Sequence, residues 1–216
     1  MDEQEGVIKY HLDFQPGALA GDAPVEDLCR WFARCRERGL IGRDPDRYHG
    51  LAYGNISARA GTGFVVSGTQ TGGRETLGAG DLAWVTGFDL EANRLAAQGP
   101  VRPSSESLTH ALVYRTRGDV NAVIHGHVPV IWGQAGALAL DATPEEAAYG
   151  TPAMAAAVAG LLAADPRRLP GVLVMGGHQD GVIAYGADLE SAGRCLLDLL
   201  DRAEALAGAR AAADRS

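Results

Sequence analysis

Two histidines separated by one glycine, His125 and His127, lie in the apolar run NAVIHGH, which begins at Asn121. The β-branched residues of this run predict a strand, in which residues two positions apart point to the same face. The two imidazoles would then face the same way, as binding to one metal ion requires. Glu106 precedes this pair and His178 follows it. Such a set suits zinc, and less often manganese, cobalt or iron, whereas a chance pair of half-buried histidines is the alternative interpretation.

Three short polar segments of the chain could form an anion site. In YGNIS, Asn55 offers a short polar side chain next to a glycine, and in VSGT, Ser67 and Gly68 offer a hydroxyl and a backbone amide. In RPSSE, Ser104 and Ser105 fall at the start of a predicted helix, where unpaired N–H groups favour phosphate or carboxylate. Each segment alone is also typical of ordinary turns and helix caps.

The elements that must position these residues follow from the spacing of apolar residues. Helical periodicity predicts four helices, over residues 25–38, 105–117, 151–164 and 188–206. Short apolar runs between turn residues predict strands at LAYGNISARA, FVVSG, LAWVTGF, NAVIHGH, GVLVMGG and GVIAYG. The first three favour an antiparallel meander and the last two a hairpin, while residues 88–104 are expected to be mostly connection. No GxGxxG or P-loop pattern opens a helix after a strand, so a nucleotide cofactor is not indicated.

Length and charge restrict the class of protein. A chain of 216 residues fits one α/β domain, expected over residues 24–208 between an N-terminal arm, 1–23, and a C-terminal tail, 209–216. The net charge of −8 argues against a nucleic-acid or anionic-membrane partner, but not against a small anionic substrate. The N-terminus lacks the apolar region of a signal peptide, and no apolar stretch approaches the ~20 residues of a membrane span. A cytoplasmic location is therefore expected.

Taken in order, these segments resemble the class II aldolase/adducin family. The resemblance runs over residues 28–206 and is carried by GNISAR, VSGT, RPSSE followed by His110, AVIHGH, and the apolar strand that leads to His178. It implies an α/β fold of three layers, α/β/α, with a mostly antiparallel central sheet. It also implies a homotetramer with its sites near the subunit interfaces.

The resemblance further implies roles for individual residues. His125, His127 and His178 match the family's histidine ligands for one divalent metal ion per subunit, most often zinc. Glu106 matches the carboxylate that ligates the metal in some states and acts as acid/base in the aldolases. His110, one helical turn after Glu106, is expected to pack or hydrogen-bond rather than bind metal. The positions that match the lining of the pocket for a small phosphorylated substrate are Asn55, Ser67, Gly68, Ser104 and Ser105.

The implied reaction is that of an aldolase-type lyase on a small phosphorylated sugar or a related hydroxy-carbonyl compound. Cleavage of a carbon–carbon bond leaves an enediolate, whose charge a divalent ion stabilises as a Lewis acid, and a carboxylate moves the proton at carbon. The family's epimerases carry Asp at the position of Glu106, which favours aldolase or dehydratase chemistry here. A dehydratase, a decarboxylase, an epimerase and a non-catalytic adducin-like assembly module are the alternatives, and the intact histidine set argues against the last.

The chain departs from the family pattern at three places. The stretch after the HxH pair is short, and its tyrosine, Tyr149, does not match the position of the aldolase acid that comes from a neighbouring subunit. No tyrosine follows Tyr185, and the usual Asn-His-Gly turn is replaced by Gly177, His178 and Gln179. These changes leave the expected metal ligands in place and concern the reaction and the substrate.

Overall fold

The computed structural model describes residues 8–19, 23–164 and 169–213, and a sheet of nine strands forms the centre of this part of the chain. In chain order, the strands are β1 His11–Pro16, β2 Gly42–Arg43, β3 Ala52–Tyr53, β4 Asn55–Ala60, β5 Gly63–Ser67, β6 Leu82–Asp89, β7 Arg94–Gly99, β8 Ala122–His127, β9 Asp141–Ala142, β10 Gly171–Val174 and β11 Gly181–Gly186. Their order across the sheet is β1-β7-β6-β5-β4-β8-β11-β10-β9, and β2 and β3 form a separate pair. Only β1 with β7 and β9 with β10 are parallel among these described pairs. The sheet is therefore mostly antiparallel.

Helices cover both faces of this sheet. They are α1 Val25–Glu37, α2 Ser107–Thr116, α3 Pro129–Trp132, α4 Pro152–Ala164 and α5 Leu189–Ala213. One apolar core joins α1, α3 and α5 to the sheet, and a second core joins α2 and α4 to the opposite face. The central strands β8 and β11 are consequently buried along their whole length, which explains why both read as nearly continuous apolar runs. The expected three-layer α/β/α fold is confirmed.

The strand β7 corrects the expectation that residues 88–104 are mostly connection. It pairs antiparallel with β6, so the meander continues from β4 through β5 and β6 to β7. Leu95 and Ala97 face the core, but the other residues of RLAAQG are poor strand formers on propensity alone. Packing against its neighbours, rather than local preference, therefore makes this segment a strand.

Segments near both ends of the described chain form regular secondary structure that the sequence did not predict. Residues 11–16, which lie in the segment expected to be an arm, form the edge strand β1 beside β7. The Tyr10 hydroxyl donates a hydrogen bond to the Ser104 carbonyl oxygen at 2.8 Å, which fastens this strand near the start of α2. At the other end, α5 continues to Ala213, so residues 209–213, expected to belong to a C-terminal tail, are helical. None of the described helices has the length and apolar character needed to cross a membrane.

Candidate metal centre

Strand β8 presents His125 and His127 on the same face of the sheet, as their spacing predicts. It lies between β4 and β11, with Asn55 opposite His125 on one side and Gly181 opposite His127 on the other. Gly126 faces the other way, where a Cβ atom would lie 3.0 Å from the Leu40 carbonyl oxygen. A side chain between the two histidines would therefore crowd the Leu40 backbone.

His178 reaches the same place from the turn that joins β10 to β11. Its backbone N–H donates to Met175 O at 3.1 Å, and its carbonyl accepts from Gly181 N–H at 2.9 Å, which closes the turn tightly. A Cβ atom on Gly181 would lie 2.5 Å from His178 Cδ2, so this glycine allows the imidazole to lie against the start of β11. Because Gly181 pairs with His127, the turn brings His178 beside the HxH pair.

The three imidazoles form one compact group of nitrogen atoms. His127 Nε2 lies 3.2 Å from His125 Nε2 and 3.1 Å from His178 Nε2, and all three ligand atoms lie within 4.8 Å of one another. Two nitrogens bound tetrahedrally to zinc at about 2.0–2.1 Å lie about 3.3 Å apart, close to the two short distances here. All three side chains are buried. The donor set and its spacing therefore fit a divalent ion.

The surroundings of His125 favour the form that binds metal. Its Nδ1 lies 3.0 Å from the Val182 carbonyl oxygen, and since a carbonyl only accepts, Nδ1 carries the proton and Nε2 keeps its lone pair. Burial, together with the nearby His127 and His178, holds the pKa of His125 well below its usual range. A neutral imidazole is the species that coordinates a cation, so the fold prepares this residue as a ligand.

Two tyrosines pack against the outer side of this group. The Tyr48 ring meets His127 edge to face, with 4.6 Å between centroids, and the Tyr149 ring tilts against His178 at the same separation. Neither residue was predicted, because each lies in an irregular segment where no periodicity shows which side chain points inward. Tyr149 lies in the short stretch where the sequence departs from the family pattern. Together the two rings cover imidazole surface that water would otherwise contact.

Each of these tyrosines has a basic side chain over its ring. The Arg47 guanidinium carbon lies 4.8 Å from the centroid of Tyr48, and Lys9 Nζ lies 4.0 Å from the centroid of Tyr149. Lys9 also donates a hydrogen bond to the Tyr149 carbonyl oxygen at 2.9 Å. Two cationic side chains therefore contact the rings that pack against the histidines.

Glu106 occupies the position just before the first turn of α2. Its side chain is buried, and its backbone N–H donates to Ser104 Oγ at 3.3 Å. The compact group of ligand atoms found among the described residues comprises the three imidazoles and does not include this carboxylate. A proton on His110, one turn further along α2, would repel a proton on His125, so α2 lies within electrostatic range of the histidines.

The backbone brings Ser67, Gly68 and Ser104 together. Ser104 N–H donates to Ser67 O at 3.2 Å, and Gly68 forms an isolated bridge with Pro103. However, Gly68 N–H already donates to Asp81 O at 2.8 Å, so neither of these two amides is available to an anion. The hydroxyl groups of the two serines are the remaining donors at this point of the chain.

Asn55 and Ser105, the other two residues expected to line the anion site, have different surroundings. Asn55 lies next to Ile56, whose N–H donates to Ser67 Oγ at 3.2 Å, and Asn55 Oδ1 is buried with no hydrogen-bond partner among the described residues. Ser105 instead lines a small cavity together with Tyr10 and Thr109. The structure therefore places Asn55, Ser67, Gly68 and Ser104 in one neighbourhood beside His125, with Ser105 turned to the side of β1.

His110 belongs to a buried network rather than to the group of ligand atoms, as expected. Ser57 Oγ lies 2.6 Å from His110 Nδ1 and 2.7 Å from the Tyr114 hydroxyl oxygen. Burial lowers the pKa of His110 to about 3. This histidine is therefore neutral in the folded protein at every pH above that value.

The low pKa of His110 makes stability depend on pH. An unfolded histidine takes up a proton below about pH 6.5, whereas the folded protein does not at His110, so the unfolding free energy should fall as pH drops from about 6.5 towards 3. Urea unfolding of metal-free protein at stepped pH values measures the slope of the unfolding free energy against pH. His110→Gln should make it shallower by about 1.4 kcal/mol per pH unit between about pH 5.5 and 4. Identical slopes in parent and variant would contradict the assignment.

Comparisons with known proteins agree with this geometry. A family model described as the class II aldolase and adducin N-terminal domain matches residues 46–206. The chain resembles the L-fuculose-1-phosphate aldolase of Thermus thermophilus, with a TM-score of 0.64, 21% identity, and coverage of 89% of this chain and 96% of that one. A sugar-phosphate aldolase from Thermotoga maritima is similar with a TM-score of 0.66 and 12% identity, over 86% and 95% of the two chains. At such identities these two structures show the fold.

Curated relatives are similar over a shorter stretch. The methylthioribulose-1-phosphate dehydratase of Gluconacetobacter diazotrophicus is 33% identical over 99 residues, which are 45% of this chain and 46% of that protein. The dehydratase of the same name from Sorangium cellulosum is 31% identical over 93 residues, 43% and 38% of the two chains. The matched stretch thus spans less than half the length of either relative. The family model, in contrast, covers most of the chain, including all three histidines. The protein therefore belongs to the class II aldolase and adducin family.

Proposed function

We propose that this protein is a metal-dependent lyase that acts on a small phosphorylated hydroxy-carbonyl compound. The observation that carries the proposal is the convergence of His125, His127 and His178, whose ligand atoms lie within 4.8 Å of one another in a buried site. Three buried imidazoles with their nitrogen atoms turned together have no packing advantage over apolar side chains, because each buried polar atom must be satisfied. A divalent ion satisfies all three at once.

His125, His127 and His178 would hold one divalent ion per subunit. Zinc suits three nitrogen ligands best, and manganese, cobalt or iron are the alternatives. When bound, the ion supplies Lewis-acid chemistry, which polarises a carbonyl and its neighbouring hydroxyl. Because imidazoles are neutral ligands, they leave the charge of the ion undiminished for that task.

Glu106 is the proton-transfer group in this proposal. It follows Ser104 and Ser105 directly and is buried at the start of α2, the helix whose His110 lies within electrostatic range of His125. A buried carboxylate that is held by its backbone can take a proton from a substrate carbon, or return one, without competition from bulk water. The hydroxyl groups of Ser67 and Ser104, with the Asn55 side chain, would hold the phosphate, and Gly68 would keep Ser67 beside Ser104 through its bridge to Pro103.

Dehydration is the reaction that the relatives favour. In that reaction Glu106 removes the proton from the carbon next to the carbonyl, and the hydroxyl on the following carbon leaves as water after gaining a proton. Two methylthioribulose-1-phosphate dehydratases share the similarity described above. Aldol cleavage is the second candidate, and it is favoured by Glu rather than Asp at position 106. In aldol cleavage, Glu106 takes the proton of the hydroxyl that becomes the carbonyl of the departing fragment, and then gives a proton to the carbon left behind when the carbon–carbon bond breaks.

A comparison of products separates the two reactions. Purified protein is first analysed for bound metal, and is then given methylthioribulose 1-phosphate or L-fuculose 1-phosphate with and without chelator. Mass spectrometry distinguishes loss of one water from division into two carbonyl fragments. We expect chelator to stop the reaction and added zinc to restore it. Protein that binds no divalent metal, or that consumes no ketose phosphate when loaded with metal, would refute the proposal.

We also propose that the protein assembles as a homotetramer in the cytoplasm, with the sites near subunit interfaces. Support comes from family membership and from α4, an alanine-rich helix with several exposed apolar positions. A cyclic assembly repeats one interface until it closes. Sedimentation velocity at micromolar concentration measures the mass, and a monomer there would exclude this arrangement.

A further inference from the structure

The loop of residues 45–50 has an unusual backbone next to the histidine cluster. Tyr48, His49 and Gly50 are consecutive, and their φ angles are +49°, +55° and +70°. Residues with a side chain seldom adopt this left-handed conformation, and two in succession are rarer still. Such strain persists only where the surrounding structure holds it, and it is concentrated at functional sites.

Asp180 is the residue that holds this loop in place. It is buried, and its Oδ2 accepts a hydrogen bond from the Tyr48 hydroxyl at 2.6 Å. The same oxygen forms an ion pair with Arg47 Nη2 at 3.4 Å. Its own φ is +62°, and its carbonyl accepts from Val128 N–H at 2.7 Å just beyond β8. Asp180 lies two residues after His178, in the turn where the sequence departs from the family pattern. Two unusual backbone segments thus meet beside the histidine cluster, which Tyr48 contacts through His127.

These contacts hold Arg47 against two tyrosine rings, which in turn pack against His127. Its guanidinium stacks over the rings of Tyr48 and Tyr53, and the centroids of those rings lie 4.6 and 5.6 Å from that of His127. The Arg47 side chain is 32% exposed, in contrast to the buried histidines. It faces an open cavity of about 490 Å³ whose lining residues are Pro45, Asp46, Arg47, Tyr48, His49 and Gln179.

The donors of Arg47 suit an oxyanion. Among the described residues that line the cavity, Arg47 carries a permanent positive charge and Asp46 is acidic. A guanidinium has five N–H donors in a fixed plane, and Asp180 engages the Nη2 end. The remaining donors match the paired oxygens of a carboxylate or phosphate.

We propose that Arg47 is a specificity-determining residue that binds a second oxyanion of the substrate, a carboxylate or a phosphate distinct from the one assigned to Asn55, Ser67 and Ser104, at the end directed away from the histidines. Asp180, Tyr48 and Tyr53 fix the guanidinium in advance, so that little side-chain freedom is lost on binding. This inference rests on the proposed function, because the hydroxy-carbonyl end of the substrate is assigned to the histidine cluster.

Three hydroxy-ketones that differ only in their terminal group test the assignment. Dihydroxyacetone phosphate carries a phosphate, hydroxypyruvate carries a carboxylate, and dihydroxyacetone is neutral. Their affinities for zinc-loaded protein are measured by isothermal titration calorimetry. Arg47→Gln should weaken binding of at least one anionic ligand by about tenfold or more, because hydrogen bonds to charged groups are the strong ones. Binding of dihydroxyacetone should not change, and the ligand that is affected identifies the oxyanion.

Two further variants separate recognition from structural support. Arg47→Lys keeps the charge but loses the planar pair of donors, so its loss of anion affinity should be intermediate. Arg94→Gln removes the same charge at the sheet edge, where Arg94 pairs with Asp13, and should bind all three ligands as the parent does. If Arg47→Gln weakens the neutral ligand as much as the anions, or weakens none, the assignment of Arg47 is overturned while the metal site stands. If none of the three ligands binds the zinc-loaded parent, the proposed function fails as well.

Discussion

Replacing His127 by alanine is expected to lower the affinity for a divalent ion by more than about 100-fold. His127 Nε2 is the central atom of the group, at 3.2 Å from His125 Nε2 and 3.1 Å from His178 Nε2. Loss of an outer hydrogen-bond partner of a metal ligand alone typically costs 10–100-fold, so removal of a ligand itself should cost more. Equilibrium dialysis against zinc, followed by elemental analysis of the protein, measures the change.

Stability provides a second measurement of the same variant. A ligand that binds only the folded state, at a concentration of 100 times its Kd, raises the unfolding free energy by about 2.7 kcal/mol. His127→Ala should lose this zinc-dependent stabilisation. His11→Ala is the matched control, because His11 is exposed on the edge strand β1 and should leave zinc affinity and stabilisation unchanged. Zinc bound by His127→Ala with the affinity of the parent would show that the three histidines are not a metal site.

The sequence was sufficient to predict the part of the centre that depends on strand geometry. The period of two along a strand placed His125 and His127 on one face without any knowledge of the fold. The register with β11, which brings His178 beside them, depends on a long-range pairing that local patterns do not show. For that residue, the sequence offered a further histidine downstream, and the resemblance to a family supplied its role as a ligand. The strand β7 was missed for the same reason, since its pairing with β6 outweighs the weak preference of RLAAQG.

The surroundings of the centre could not be predicted, because they depend on side chains in irregular segments. Nothing in the sequence indicates that Tyr48 and Tyr149, a hundred residues apart, cover the same group of histidines. The anion site shows a second limit. Gly68 and Ser104 lie close together, but the sequence did not show that their amides donate to the carbonyl oxygens of Asp81 and Ser67. Residue types identify potential donors, whereas the fold decides which of them remain available.

Glu106→Gln is expected to reduce kcat by about 10²–10⁴-fold, the usual contribution of a positioned proton-transfer group. Glutamine has nearly the shape of glutamate but cannot take up a proton at neutral pH, so substrate binding should change much less than turnover. The carboxylate lies outside the compact group of imidazole ligand atoms, and the variant should therefore retain its metal. Its unfolding free energy should not fall, because a neutral amide is less costly to bury than a charged carboxylate.

Three measurements on this variant decide the role of Glu106. Steady-state kinetics on the ketose phosphate that the parent consumes gives kcat and KM, elemental analysis gives the metal content, and urea unfolding gives the stability. Glu26→Gln makes the same change at an exposed residue in the first turn of α1 and should match the parent in all three. Turnover at the parental rate with the metal retained would exclude Glu106 as the acid/base. Loss of metal together with turnover would instead make Glu106 a ligand, because the three imidazoles would then be insufficient to hold the ion.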